Sequence, residues 1–270
     1  MNIANVFNRK NRILLKELVI TDFKLRYQGS VLGYLWSLLK PLMLFAILYV
    51  VFVKFLRFGE GIEHYPVILL LGIVMWGFFT EATIQGMHSI IGRGDVIRKI
   101  SFPKYIIVLS STISALINLL INLAVVIIFM IINGVHFQAS ALLLPLNIIE
   151  LYILALAIAF LLSALMVKYR DVVHVWEVVL QGLFYAVPII YPLSLVVGFN
   201  ETAAKIILLN PIAQIIQDAR YNLISHQTTT VGNYINDPLT QLIPYVIILA
   251  LIIFASIYFK NNSRYFAENL

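Results

Sequence analysis

Apolar residues run through this chain in long blocks bounded by basic, proline-bearing or polar stretches, and block length decides what they form. A helix needs roughly 20 mostly apolar residues to cross the hydrocarbon core of a bilayer. Tyr105 to Ile132 meets that requirement without a single charge. Five further blocks meet it with one interruption or none: Val31 to Val53 (carrying Lys40), Tyr65 to Ile91 (Glu81), Leu142 to Val167 (Glu150), Val172 to Tyr191 (Glu177) and Leu242 to Phe259. The pattern predicts an all-α integral membrane protein with six transmembrane helices.

Two segments outside these blocks also have a pattern. From Lys10 to Tyr27, Lys10, Glu17, Thr21 and Lys24 share one helical face, while Leu14, Leu18 and Leu25 adjoin a stripe of Leu15, Val19 and Phe23. Asp22 and Arg26 interrupt the apolar arc, so this segment is either an amphipathic helix lying in the membrane interface or a basic tail. Between spans five and six, Pro188 and Pro192 stop the helix. The stretch from Leu193 to Leu239 then mixes apolar patches with Asn210-Pro211 and a polar run. Short helices re-entering the outer leaflet fit such a segment, because non-helical backbone at depth is tolerated where protein buries it. The expected organisation is therefore residues 1–30 as N-terminus with interfacial helix, 31–260 as one transmembrane domain and 261–270 as a tail.

Charge orients the bundle. Arg9, Lys10, Arg12, Lys16, Lys24, Arg26, Arg93, Arg98, Lys99, Lys104, Lys168, Arg170, Lys260 and Arg264 flank one side, and only Lys54, Arg57, Lys205 and Arg220 the other. By the positive-inside rule both termini are cytosolic, and an even number of spans agrees. The net charge of +6 thus reads as a set of topology signals at the ends of apolar runs, not as a nucleic-acid surface. Composition points the same way: 61% of residues are hydrophobic and 12% charged, whereas soluble domains are near half apolar and a quarter charged. Met1 to Arg26 lacks a compact apolar core with a small-residue cleavage site, so no cleaved signal peptide is expected.

Catalytic chemistry finds little support. No Gly-Lys dipeptide occurs, so the chain has no loop of the kind that cradles a nucleotide phosphate. There is no cysteine. His174 and Glu177 are spaced as His-x-x-Glu, but a hydrolytic metal site needs about three protein ligands, and no metal role is expected.

Four local patterns, in order, are more informative. They are Tyr27-Gln-Gly-Ser-Val-Leu-Gly-Tyr-Leu-Trp-Ser-Leu-Leu-Lys-Pro41; Val96-Ile-Arg-Lys-Ile-Ser-Phe-Pro103; Arg170-Asp171-Val172 with Pro188-Ile-Ile-Tyr-Pro192; and Asn210-Pro-Ile-Ala-Gln-Ile-Ile-Gln-Asp-Ala-Arg220. In this order and spacing they resemble the membrane subunits of type-2 ABC exporters, in the branch that exports O-antigen, teichoic acid and capsular polysaccharide. The resemblance runs from about Lys24 to Phe259. It departs at Gln28-Gly29, where family members often carry basic residues. It implies a bacterial plasma-membrane permease working as a homodimer and binding a separate cytosolic ATPase that holds ATP and magnesium, with no cofactor in this chain. It also implies a substrate built on an undecaprenyl-type lipid carrier. Two rivals are a type-2 exporter of drugs or lipids and a proton-coupled secondary transporter using Glu81 or Glu177.

The resemblance gives the inner loop a mechanical reading. Arg93, Asp95, Arg98 and Lys99, followed by Phe102 and the helix-breaking Pro103, match a short coupling helix that docks on the ATPase; the alternative is that these charges only fix topology. Within the spans, Glu81, Gln85 and His88 share one face of span two, and His174, Glu177 and Gln181 one face of span five. At about 1.5 Å per residue both stripes lie roughly 6 to 17 Å from the cytosolic surface, with Lys40 about 12 Å in from Leu32. Ionisable groups in a span are costly and face protein or a wet cavity. The stripes are accordingly either a packing network in which Lys40 offsets a carboxylate, or a polar vestibule with Tyr34 and Trp36 on the translocation path. Glu150, near the outer end of its span, is expected to reach the interface.

Overall fold

The computed structural model describes residues 9–27, 30–99 and 102–269, and within these every regular element is helical. Gln28 and Gly29, where the chain departs from the family pattern, lie outside the described residues, as do Ile100 and Ser101 of the inner loop. The helices are α1 (Arg9–Tyr27), α2 (Trp36–Leu48), α3 (Tyr65–Ser89), α4 (Gly94–Lys99), α5 (Tyr105–Ile132), α6 (Leu144–Lys168) and α7 (Val172–Ala186). They continue as α8 (Leu193–Phe199), α9 (Glu201–Leu208), α10 (Pro211–Leu223), α11 (Val231–Tyr234), α12 (Pro238–Gln241), α13 (Ile243–Asn262) and α14 (Phe266–Asn269). A 3-10 turn, Gly33–Leu35, leads into α2, which passes into a π-helical segment at Tyr49–Phe55.

Five of these helical stretches are long and apolar enough to cross a membrane: 33–55, 65–89, 105–132, 139–168 and 238–265. The sixth expected span is shorter than its apolar block. α7 has 15 residues, roughly 22 Å of helix, against about 30 Å of hydrocarbon. The helix ends at Ala186, and Val187 to Pro192 run non-helically although Val187, Ile189 and Ile190 are buried.

Backbone carbonyls freed in a buried place need donors, and one side chain supplies them. Arg220 of α10 is 2% exposed and donates to Pro188 O, to Ile189 O at 2.9 Å and to Ile68 O of α3 at 3.1 Å, with Gln217 Oε1 as a fourth acceptor at 2.8 Å. Tyr65 Oη adds a bond to Ile190 O at 3.0 Å. α10 is itself set by its sequence: Asn210 accepts from Ile212 N at 3.0 Å as N-cap, and Pro211 fills the first helical position, where no N–H is required.

α3 is the axis of the bundle, with 78% of its apolar stretch buried against 6% for that of α2. It packs on α5 and α6, and α6 packs on α13. The α3–α6 crossing is close because Gly86 faces Ala159; a Cβ at Gly86 would stand 2.4 Å from the Ala159 methyl. At the basic end, Ile97 of α4 is buried in a cluster with Phe160, Phe259 and Phe266, so the C-terminal turns fold back under α4. α1 lies against α5, and its Phe23 ring stacks on Tyr34 at 5.1 Å.

Candidate functional site

A cavity of about 920 Å³ lies between α2, α3, α5 and α7. Its polar wall grows from a helix defect. Pro41 sits inside α2 and has no N–H, which leaves Ser37 O without its helical donor. Asn122 of α5 fills the gap, donating to Ser37 O at 3.1 Å, and so aligns α5 with α2. One turn back, Asn118 donates to Glu81 Oε1 at 2.7 Å, and Gln85 donates to the same oxygen at 3.0 Å. Glu81 is thereby held by two neutral amides.

Aromatic rings share the lining. Trp76 and Phe184 meet with ring centroids 5.9 Å apart, Phe184 and Tyr185 at 5.4 Å, and Trp36 and Phe78 complete the lining. Trp36 and Tyr185 are exposed, so the cavity opens at the surface of the subunit. Ring faces beside amide, ammonium and carboxylate groups give many weak contacts along a path, in contrast to a closed catalytic pocket.

Of the residues expected on the path, Trp36, Lys40, Glu81, Gln85 and Gln181 line this cavity. Tyr34 lies apart from it on α1, His88 is exposed at the end of α3, and His174 and Glu177 sit on an exposed face of α7, 3.7 Å from one another. Only Leu180 of α7 is buried, so the helix turns its His-x-x-Glu face away from the bundle. The expected charge pairing also differs. Among the described residues no ion pair joins Lys40 to Glu81 or Glu177, and Asn118 and Gln85 both bond Glu81 Oε1. Glu150 is half-buried against Gln214 of α10.

The residues expected to couple to an ATPase divide by partner. Arg93 bonds Asp22 of α1 and donates to Ser110 Oγ of α5 at 3.1 Å, which ties three elements at the start of the turn. Asp95 and Arg98 border a cleft of about 170 Å³ with Arg170, and Lys99 is exposed. Phe102 packs against the cluster that holds Ile97, and Pro103 is half-buried before α5.

Sequence reasoning missed Asn118 and Asn122, although two asparagines four apart in a charge-free span were a signal. It also read Arg220 as a flanking charge, whereas the side chain is buried.

The model of the family described as ABC-2 type transporter matches residues 13–224. The chain is 27% identical over 260 residues to the O-antigen export system permease protein RfbA of Myxococcus xanthus, covering 96% of each chain. It is 29% and 30% identical over 204 residues to two Klebsiella pneumoniae proteins of the same description, covering 75% of this chain and 77% of each relative. A family match spanning most of the bundle, with one relative aligned nearly end to end, establishes that the chain belongs to the ABC-2 type transporter family.

Proposed function

We propose that this chain is the membrane permease subunit of an ATP-driven exporter that moves lipid-linked polysaccharide out of the cytosol across the bacterial plasma membrane. The observation that carries this reading is the cavity between α2, α3, α5 and α7, whose lining combines the rings of Trp36, Trp76, Phe184 and Tyr185 with Lys40, Glu81, Asn118 and Gln181. Sugar rings stack on aromatic faces through their C–H groups and hydrogen-bond at their edges. A sliding polymer needs such repeated weak contacts and no deep site. The names of the three relatives support the same substrate class.

ATP and magnesium are bound by a separate cytosolic ATPase, which docks on α4 through Arg98 and Lys99. Both termini are cytosolic, α1 lies in the inner interface, and α7 with α8 and α9 serves as a sixth, broken passage whose outer part re-enters the membrane. A second copy closes the open side of the cavity. The exposed aliphatic face of α7, with Val175 and Val178, favours such a partner or lipid there.

The test is export in a strain lacking its own permease, supplied with this chain and its ATPase. Trp36→Ala and Phe184→Ala should lower surface glycan severalfold while the ATPase still co-purifies. Normal glycan export by both variants overturns the path assignment. Absence of any co-purifying ATPase overturns the transporter class and favours a secondary transporter.

A further inference from the structure

On the face of α10 opposite Arg220 lies a buried polar cluster that the transport path does not use. Gln214, fully buried, donates through Nε2 to Asp218 Oδ2 at 2.6 Å and to Tyr245 Oη of α13 at 3.3 Å. Its amide stands against Glu150 of α6. Two acceptors here, Glu150 Oε1 and Gln214 Oε1, are buried without a hydrogen-bond partner. Two orphan acceptors side by side in a dry place are costly, and each lacks the same thing, a donor.

A carboxylic O–H supplies it. If Glu150 carries a proton, it donates to Gln214 Oε1 while Gln214 Nε2 donates to Asp218. Rotating the amide by half a turn exchanges the roles: Nε2 then faces Glu150, and Oε1 meets Asp218, which must carry the proton instead. Either orientation requires one proton for the two carboxyls. We infer that Glu150 and Asp218 hold a single proton between them across Gln214, and that this proton fastens α10 to α6 and α13.

The surroundings agree. Of the elements packed on α10, α6 supplies Glu150, α13 supplies Tyr245, α3 supplies Tyr65 turned toward Arg220, and α9 brings only the exposed Glu201 and Lys205. His226 is occupied by Ser140 and stacked on Tyr221. Arg220 points to the other side, with its guanidinium shared among carbonyls and Gln217. Among the described residues no cation therefore offsets a second negative charge, and burial pushes the Asp218 carboxyl up to about 6. A carboxyl raised in the folded state contributes its full stability below the ordinary carboxylate range, about pH 4, and loses it as pH rises through about 6. Because α10 also anchors the end of α7 through Arg220, loss of the proton would loosen the segment beside the cavity.

The experiment is thermal unfolding of the full chain in lipid nanodiscs from about pH 4.5 to 7.5, with and without sodium, alongside infrared detection of protonated carboxyl groups. Wild type should lose roughly 5 °C of Tm over that range, read from a linkage of this size. Glu150→Gln and Asp218→Asn each place a permanent donor where the proton was, so each alone should remove most of the slope and the protonated-carboxyl band. Gln214→Glu adds a third carboxyl and should steepen the slope. A wild-type slope that persists in both single variants overturns the inference, as does a sodium-dependent Tm with no protonated-carboxyl band, which would make the occupant a metal cation. These readouts are independent of whether glycan is the cargo.

Discussion

The guanidinium of Arg220 occupies the space that a side chain at Gly72 would need. A Cβ there would stand 2.3 Å from Nη2 and 3.4 Å from Ile189 O. Gly72 is thus the α3 half of a joint whose other half is the non-helical stretch after α7.

Gly72→Ala should displace the guanidinium and leave the carbonyls of Pro188 and Ile189 short of donors, at about 1–3 kcal/mol for each buried group left unsatisfied. Arg220→Met removes the donors directly and should cost at least as much. Thermal unfolding in detergent reads both. A loss in the double variant no larger than in Arg220→Met alone would locate the damage at the joint.

A second joint links α1 to the turn before α4. Asp22 and Arg93 are 23% and 18% exposed and directly paired, so α1 and the turn before α4 are expected to move together. Asp22→Asn or Arg93→Gln should remove about 1–3 kcal/mol of charge-assisted bonding and lower export per ATP hydrolysed. Exchanging the two residues, Asp22→Arg with Arg93→Asp, should recover part of the loss. Unchanged coupling in the single variants would leave the pair with a packing role only.

Within the cavity two amides, of Asn118 and Gln85, bond Glu81, which separates two outcomes. A double-mutant cycle on Glu81→Gln and Asn118→Ala should show a coupling of about 0.5–3 kcal/mol, while Lys40→Met with Glu81→Gln should be additive within about 0.5 kcal/mol. Lys40→Met should also leave the subunit as stable as wild type and lower glycan export, as expected of a cation facing the path.

Much of this arrangement was legible beforehand. The charge-free span was placed at Tyr105 to Ile132, where α5 lies, and the start of α3 at Tyr65, because length and apolarity are properties of the segment itself. The rotation of each helix is not. A period of 3.6 groups His174, Glu177 and Gln181 on one face, yet only packing decides that Gln181 reaches the cavity while His174 and Glu177 turn outward. The end of α7 at Ala186 was partly visible in Pro188 and Pro192. Its stabilisation was not, since the donor comes from Arg220, more than 30 residues away. Lys40 and Glu81 line one cavity, and Asn118, which no charge pattern announces, bonds the carboxylate.

The last expectation concerns α4, whose six residues divide between an anchored side and a free one. Ile97 is 6% exposed and seated among Phe160, Phe259 and Phe266, whereas Asp95, Arg98 and Lys99 are exposed. Such a division suits an element that must transmit force: the buried side fixes it to the bundle, and the charged side meets a partner. Reversing Arg98 and Lys99 to Glu should therefore leave folding and membrane insertion intact and weaken ATPase co-purification about tenfold or more, since charge mismatch across an interface costs on the order of 1 kcal/mol or more per group. The wild-type association should weaken as salt rises, because exposed charges are screened. Ile97→Ala should behave oppositely, costing about 2 kcal/mol or more of stability and lowering export at normal ATPase affinity. If the charge-reversed variant exports normally with its ATPase bound, Arg98 and Lys99 serve only to orient the chain in the membrane.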